Sequence, residues 1–215
     1  DDFARGTGTQ PLVVVGETGV GKSALLVNWG LQYQAEHPDE LVLTHFVGAT
    51  TMSRNWGVLL AMLMAGLKDH FYLKEEIPKD PNVLRSAFPN WLSSVSKKGK
   101  VVLILDALDR LDDREGAQEL IWLPAQLPEN IRMVISTMPG KVLRTVQQRN
   151  YPMLTVEPLL INEAEQLVHA YLAQYSKQLN QDQVQRIIAD PQSSNPLALR
   201  VLLDELRQFG DHDRL

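Results

Sequence analysis

The 215-residue chain has no cysteine, so disulfides and cysteine-ligated metals are excluded. It has no excess of positive charge. The formal net charge is −5, which gives no general affinity for nucleic acid or for an anionic membrane. No apolar run approaches the length of a membrane span. The opening DDFARGTGTQ lacks the basic-then-apolar pattern of a secretory leader, and a cytoplasmic location is expected. With no initiator methionine either, the chain reads as a piece cut from a longer protein or as a processed one. No internal repeat and no low-complexity segment is present. Apolar residues make up 44% and charged residues 22%, the balance of a folded domain rather than of a disordered chain.

What is present alternates. Five apolar runs read as strands: PLVVV (11–15), LVLTHF (41–46), VVLILD (101–106), IRMVIST (131–137) and MLTVEPL (153–159). Near-continuous apolar strands indicate a parallel sheet covered on both faces. Between them, Trp56, Leu59, Leu60, Leu63 and Leu67 form one helical stripe, and Leu84, Ala87, Phe88, Trp91, Leu92 and Val95 form another. The segment 68–81 reads as a connector. Trp29, Trp56, Trp91 and Trp122 all read as core residues on helical stripes.

After Pro158 the strands stop. Asn162 with Glu165 reads as a capping box, opening a helix that aligns Ala164, Leu167, Val168, Tyr171, Leu172 and Tyr175. Val184, Ile187 and Ile188 mark a second helix. Leu199, Leu202, Leu203 and Leu206 mark a third, ending at Gly210. The expected organisation is therefore an α/β nucleotide-binding domain over 1–158, with a five-stranded parallel sheet flanked by helices, and a small helical lid subdomain over 159–215.

The chemistry is announced by GETGVGKS. It fills every fixed position of G-x-x-x-x-G-K-[S/T], with a strand before it and a helix after it. Glycines let successive N–H groups turn inward around phosphate oxygens, and the helix N-terminus adds partial positive charge. The phosphate-binding set is Gly16, Glu17, Thr18, Gly19, Val20, Gly21, Lys22, Ser23 and Ala24. Lys22 would reach the β- and γ-phosphates, and the Ser23 hydroxyl would ligate Mg²⁺. Asp106, ending VVLILD, is the matching magnesium-side carboxylate.

Three residues further, Asp109 is placed to orient or deprotonate an attacking water. The alternative is that Asp109, Arg110, Asp112, Asp113 and Arg114 form a solvated charged turn. At the end of the next strand, Thr137 or Ser136 could sense the γ-phosphate. Equally, either hydroxyl could cap the helix that follows. His45 reads as structural. No N/T-K-x-D stretch reads guanine, Asp106 lacks the following x-x-Gly of GTPase switches, and no LSGGQ-like signature is present. ATP or ADP is the expected nucleotide.

Four stretches, VVVGETGVGKSALLVNW, THFVGATTMS, VLILDALDRLDD and SNPLALRVLLDELRQFG, resemble the NACHT group of the STAND class of P-loop ATPases. More narrowly, they are similar to NACHT modules of nephrocystin-type and telomerase-associated proteins and their bacterial relatives. The resemblance implies an AAA-like ATPase used as a conformational switch in signalling. It also implies flanking effector or repeat domains, self-association, and a Pro196 that lies near the adenine. Ala107, the small residue after the magnesium acid, fits the family.

Two positions depart from it. Arg110 stands where NACHT proteins often carry glutamate, and Met138 stands where they often carry an arginine. The loss of that arginine removes a charge that would stabilise the transferring phosphate, so hydrolysis is expected to be slow. Two readings remain open: a weak ATPase switch, and a non-hydrolysing, nucleotide-stabilised interaction or oligomerisation module.

Overall fold

The computed structural model describes residues 2–209. In chain order the elements are α1 (Asp2–Arg5), β1 (Leu12–Val15), α2 (Lys22–Glu36), β2 (Leu41–Phe46), α3 (Trp56–Phe71), α4 (Pro81–Ser96), β3 (Val101–Asp106), β4 (Ile131–Thr137), α5 (Lys141–Gln148), β5 (Met153–Thr155), α6 (Ile161–Ala173), α7 (Gln181–Ile188) and α8 (Pro196–Phe209).

They fall into two units. The first holds Asp1–Gly16 and Lys22–Thr155. The second holds Val156–Leu215 together with the loop tip Glu17–Gly21.

The first unit is built on a five-stranded, all-parallel sheet in the order β2-β3-β4-β1-β5. Burial follows that order. Every residue of the inner strands β3 and β4 is buried, as continuous apolar runs require. At the edges, β2 is only partly covered and β5 is exposed, so the expectation of two covered faces holds for the inner strands alone. β5 is also shorter than the apolar run suggested. Pro158 has no N–H to donate, and the Leu159 N–H goes to the Ser194 carbonyl instead of to a strand.

Two helices of the first unit begin where short polar side chains accept orphan N–H groups. The Asn55 side-chain Oδ1 takes the Gly57 and Val58 amides before α3. The Asp80 carboxylate takes those of Asn82 and Val83 before α4, with Pro81 at the first position. The connector is thus shorter than expected, since α3 runs on to Phe71 and ends at a left-handed Tyr72. Trp56, Trp91 and Trp122 are buried as anticipated. Trp122 lies in an irregular segment rather than on a helical stripe, its indole N–H held by the Ala117 carbonyl. Trp29 is only half-buried on α2, so it is not a core residue.

The second unit packs Ala164, Val168, Tyr171 and Leu172 of α6 against Val184 and Ile188 of α7 and Leu199 and Leu203 of α8. Its first helix starts before the expected capping box. The Glu163 carboxylate accepts the Leu160 N–H at 2.8 Å, which sets the start at Ile161. Leu160 has no side-chain acceptor, so only this returning half of a box forms. Glu165 instead meets Gln181 and His169. A complete box opens α7, where Asn180 and Gln183 exchange bonds of 2.9 and 3.0 Å. Tyr175 lies past the end of α6 and carries the Arg207 guanidinium 4.3 Å over its ring. The expected stop at Gly210 lies outside the described residues.

Candidate functional site

The site in the first unit forms where the carboxyl ends of β1, β3 and β4 lie side by side. Val15 pairs in register with Thr137, and Leu105 with Ile135. The chain leaves β1 at Gly16 and re-enters a helix at Lys22. The Lys22 ammonium donates to the Gly16 carbonyl at 2.7 Å, and the side chain is 8% exposed. Ser23, one residue into α2, turns its hydroxyl to Asp106 Oδ2 at 2.5 Å. Ala24 follows on the same first turn.

Asp106 is 4% exposed. A buried carboxylate needs hydrogen-bond donors. Ser23 supplies one, and Ser136 supplies the second from the neighbouring strand by donating to Oδ1. The Ser136 oxygen in turn accepts the Ala107 N–H at 2.7 Å. Ala107 is left-handed (φ 59°), so the chain turns sharply as it leaves the strand. Ser23 and Asp106 thus present two hard oxygen donors side by side. Such a set suits Mg²⁺, which takes one or two protein oxygens and completes its shell with phosphate and water.

Asp109 lies on the short turn after Ala107. Its Oδ1 accepts the Met138 N–H at 3.0 Å. This ties the acid-strand turn to the end of β4, and one of the two carboxylate oxygens is committed to backbone. The neighbouring charges are also paired. Asp112 meets Arg54 at 3.1 Å, and Lys141 lies between Asp113 and Glu119 at 2.8 and 2.7 Å. Lys141 is pushed above its usual range by those two carboxylates, and Glu119 is held below its own mainly by the Lys141 hydrogen bond. Asp112, Asp113 and Arg114 are exposed, so this part of the turn is solvated even where its charges pair.

Ser136 and Thr137 are both fully buried, at 0% exposure. The Thr137 hydroxyl donates to the Met138 carbonyl at 3.0 Å. Neither hydroxyl caps α5, whose N-terminus has no side-chain cap. Met138 follows directly. Arg110 packs its aliphatic stem beside Gly48, where an added Cβ would lie 3.0 Å from Arg110 Cδ.

His45, near the end of β2, is buried with its Nε2 3.4 Å from the Ser53 carbonyl. Burial lowers its pKa, and the Ser53 carbonyl partly opposes this. Ser53 organises its own loop by accepting the Gly48 and Thr50 amides at 2.9 and 3.1 Å.

In the second unit the loop tip Glu17–Gly21 lies with the start of α8. Gly19 and Gly21 have φ of +80° and +105°, conformations that only glycine adopts without strain. Pro196 is the first residue of α8, and the Asn195 side chain caps it by accepting the Leu197 and Ala198 amides at 3.0 and 3.2 Å. Two further links had no signal in the sequence. Asn195 Nδ2 donates to the Thr18 carbonyl at 2.7 Å, and the Leu197 N–H also donates to the Gly19 carbonyl at 3.2 Å.

A glycine-rich loop leaving β1, a serine–carboxylate pair beside it, and a strand inserted between the loop strand and the acid strand define a P-loop ATPase module. The chain belongs to the NACHT domain family, whose model matches residues 10–175.

A TPR repeat-containing protein of Dictyostelium discoideum is 31% identical over 94% of this chain and 15% of its own length. Nephrocystin-3 of Mus musculus is 32% identical over 80% of this chain and 13% of its own length. Telomerase protein component 1 of Mus musculus is 29% identical over 94% and 8%. The chain thus spans a small fraction of these relatives.

Among solved structures, a Walker-type ATPase of Pyrococcus abyssi superposes with TM-score 0.61 over 95% of this chain and 65% of that one, at 15% identity. AMPPCP-bound DnaA from Aquifex aeolicus superposes with TM-score 0.58 over 95% and 57%, also at 15% identity. These superpositions establish the shared fold.

Proposed function

We propose that this chain is the Mg-ATP-binding STAND switch of a longer signalling or scaffold protein, and that it hydrolyses ATP slowly. The observation that carries the reading is the Ser23–Asp106 contact at 2.5 Å, beside a lysine drawn back onto the first glycine of its own loop. Lys22 binds the β- and γ-phosphates. Ser23 and Asp106 hold the cation, which when bound neutralises phosphate charge. Asp109, with one oxygen anchored on the Met138 amide, orients water with the other. Thr137 and Met138 end the strand that borders the site, and no arginine stands at 138 to stabilise a transferring phosphate. An arginine in that role is worth about 10³–10⁵ in rate in well-studied systems, so turnover is slow.

Pro196 lies near the adenine, a reading that rests on family resemblance. Repeat-bearing relatives support flanking repeat domains, and self-association rests on family resemblance alone.

The test is calorimetric titration with Mg-ATP and Mg-GTP, followed by a single-turnover ATPase assay. Wild type is expected to prefer ATP and to turn over far below about 10 s⁻¹, the usual enzyme range. Lys22→Ala is expected to lose tight binding, and unchanged ATP affinity in that variant would refute the reading. Asp109→Asn is expected to lose hydrolysis but keep its bond to the Met138 amide. The commitment of Asp109 Oδ1 to that amide favours a second reading, a non-hydrolysing module stabilised by nucleotide. Tight ATP binding with no hydrolysis above background establishes that alternative.

A further inference from the structure

We propose that Asn195 is a positioning residue for the phosphate loop, orienting the loop amides through their own carbonyls. The proposal rests on the nucleotide-binding reading above. Asn195 uses both ends of its amide. The oxygen accepts two amides at the start of α8, which is ordinary helix capping. The nitrogen donates to the Thr18 carbonyl at 2.7 Å, which capping does not require. Its orientation is set by this network, since exchanging the oxygen and nitrogen would face an NH₂ toward two N–H donors.

The consequence comes from the planar peptide. In a trans peptide the C=O of one residue and the N–H of the next point in opposite directions. Holding the Thr18 carbonyl therefore fixes the direction of the Gly19 N–H. The Leu197 N–H does the same one peptide later: its 3.2 Å bond to the Gly19 carbonyl directs the Val20 N–H, which donates to the Glu17 carbonyl at 3.4 Å and closes the turn. Both amides are aimed away from α8 by bonds on their carbonyl side, and the Val20 N–H is engaged within the turn while the Gly19 N–H is the one oriented for an anion. A nest of amides binds an anion only when its N–H groups converge. The φ of +80° at Gly19 supplies the turn, and the fit is close enough that a Cβ there would lie 2.5 Å from Asn195 Oδ1. Asn195 thus spares the anion the work of ordering this part of the loop, and tighter phosphate binding follows.

The two roles of Asn195 separate cleanly. Asp and Ser both cap helices well. An aspartate cannot donate to the Thr18 carbonyl and repels it, and a serine hydroxyl is too short to reach. Asn195→Asp and Asn195→Ser are compared with wild type in two measurements.

The first is amide hydrogen exchange without nucleotide. Faster exchange across 17–21, with Ala198 still protected, is expected in both variants. Unchanged exchange at the loop overturns the proposal. The second is titration with Mg-ADP. An affinity about tenfold weaker is expected, the equivalent of one lost hydrogen bond at the upper end of the usual range. The thermal midpoint of the nucleotide-free protein is expected to fall by no more than about 6 °C, the cost of one hydrogen bond. Wild-type affinity in both variants overturns the proposal as well. A wild-type chain that binds no ADP refutes the nucleotide reading instead, and the exchange result then decides the Asn195 contact by itself.

Discussion

Ser136→Ala removes one oxygen that serves two buried partners. The Ser136 hydroxyl donates to Asp106 Oδ1 and accepts the Ala107 N–H at 2.7 Å, and the side chain has no exposed surface. A hydrogen bond to a charged group contributes about 1.5–3 kcal/mol, and an orphaned buried donor costs about 1–3 kcal/mol. Ala107 is itself only partly buried, so water can reach part of its environment and the low end applies to the second figure. The sum is about 3 kcal/mol. For a chain of this size each kcal/mol moves the thermal midpoint by about 2–4 °C, so a drop of about 6–12 °C is expected.

The assay is thermal unfolding without nucleotide or Mg²⁺, so that only the fold reports. Thr137→Val is the companion variant. It deletes a hydroxyl whose bond runs only to the next carbonyl, at 3.0 Å, and the expected cost is about 1 kcal/mol or less. A midpoint for Ser136→Ala within about 1 °C of wild type refutes the account of Ser136 as the bridge that holds the acid. Equal losses in the two variants also refute it.

Gly19→Ala places a side chain at φ +80° and within 2.5 Å of Asn195 Oδ1, so a loss of at least about 1 kcal/mol is expected, and wild-type stability refutes the close approach. For His45, burial holds the folded pKa below the unfolded value near 6.5. As pH falls from about 7 the unfolded chain takes up the proton first, so stability decreases until the folded pKa is passed. Midpoints between about pH 7 and pH 5 should fall less steeply in His45→Gln. Parallel slopes would show that His45 does not carry the effect.

Much of this molecule is local and therefore written in the sequence. The glycine spacing of GETGVGKS can be read because positive φ is a property of single residues. The inner strands can be read because full burial on both faces demands unbroken apolar runs, as in VVLILD and IRMVIST. At Asn195-Pro196 the cap and the fixed φ act within one turn, so the start of α8 is a local property.

What lay beyond the sequence depends on order in space. Nothing in IRMVIST says that it pairs with both β1 and β3. That pairing brings Ser136 against Asp106 and sets the Met138 amide on Asp109, both about thirty positions away along the chain. Edge position, rather than composition, leaves β5 exposed. Glu163 rather than Glu165 opens α6, because which carboxylate reaches back depends on where the chain leaves Pro158. The bond from Asn195 to the Thr18 carbonyl spans 177 positions. Hydrogen bonds of that range follow from packing, and a sequence motif records only the residue types that packing can use.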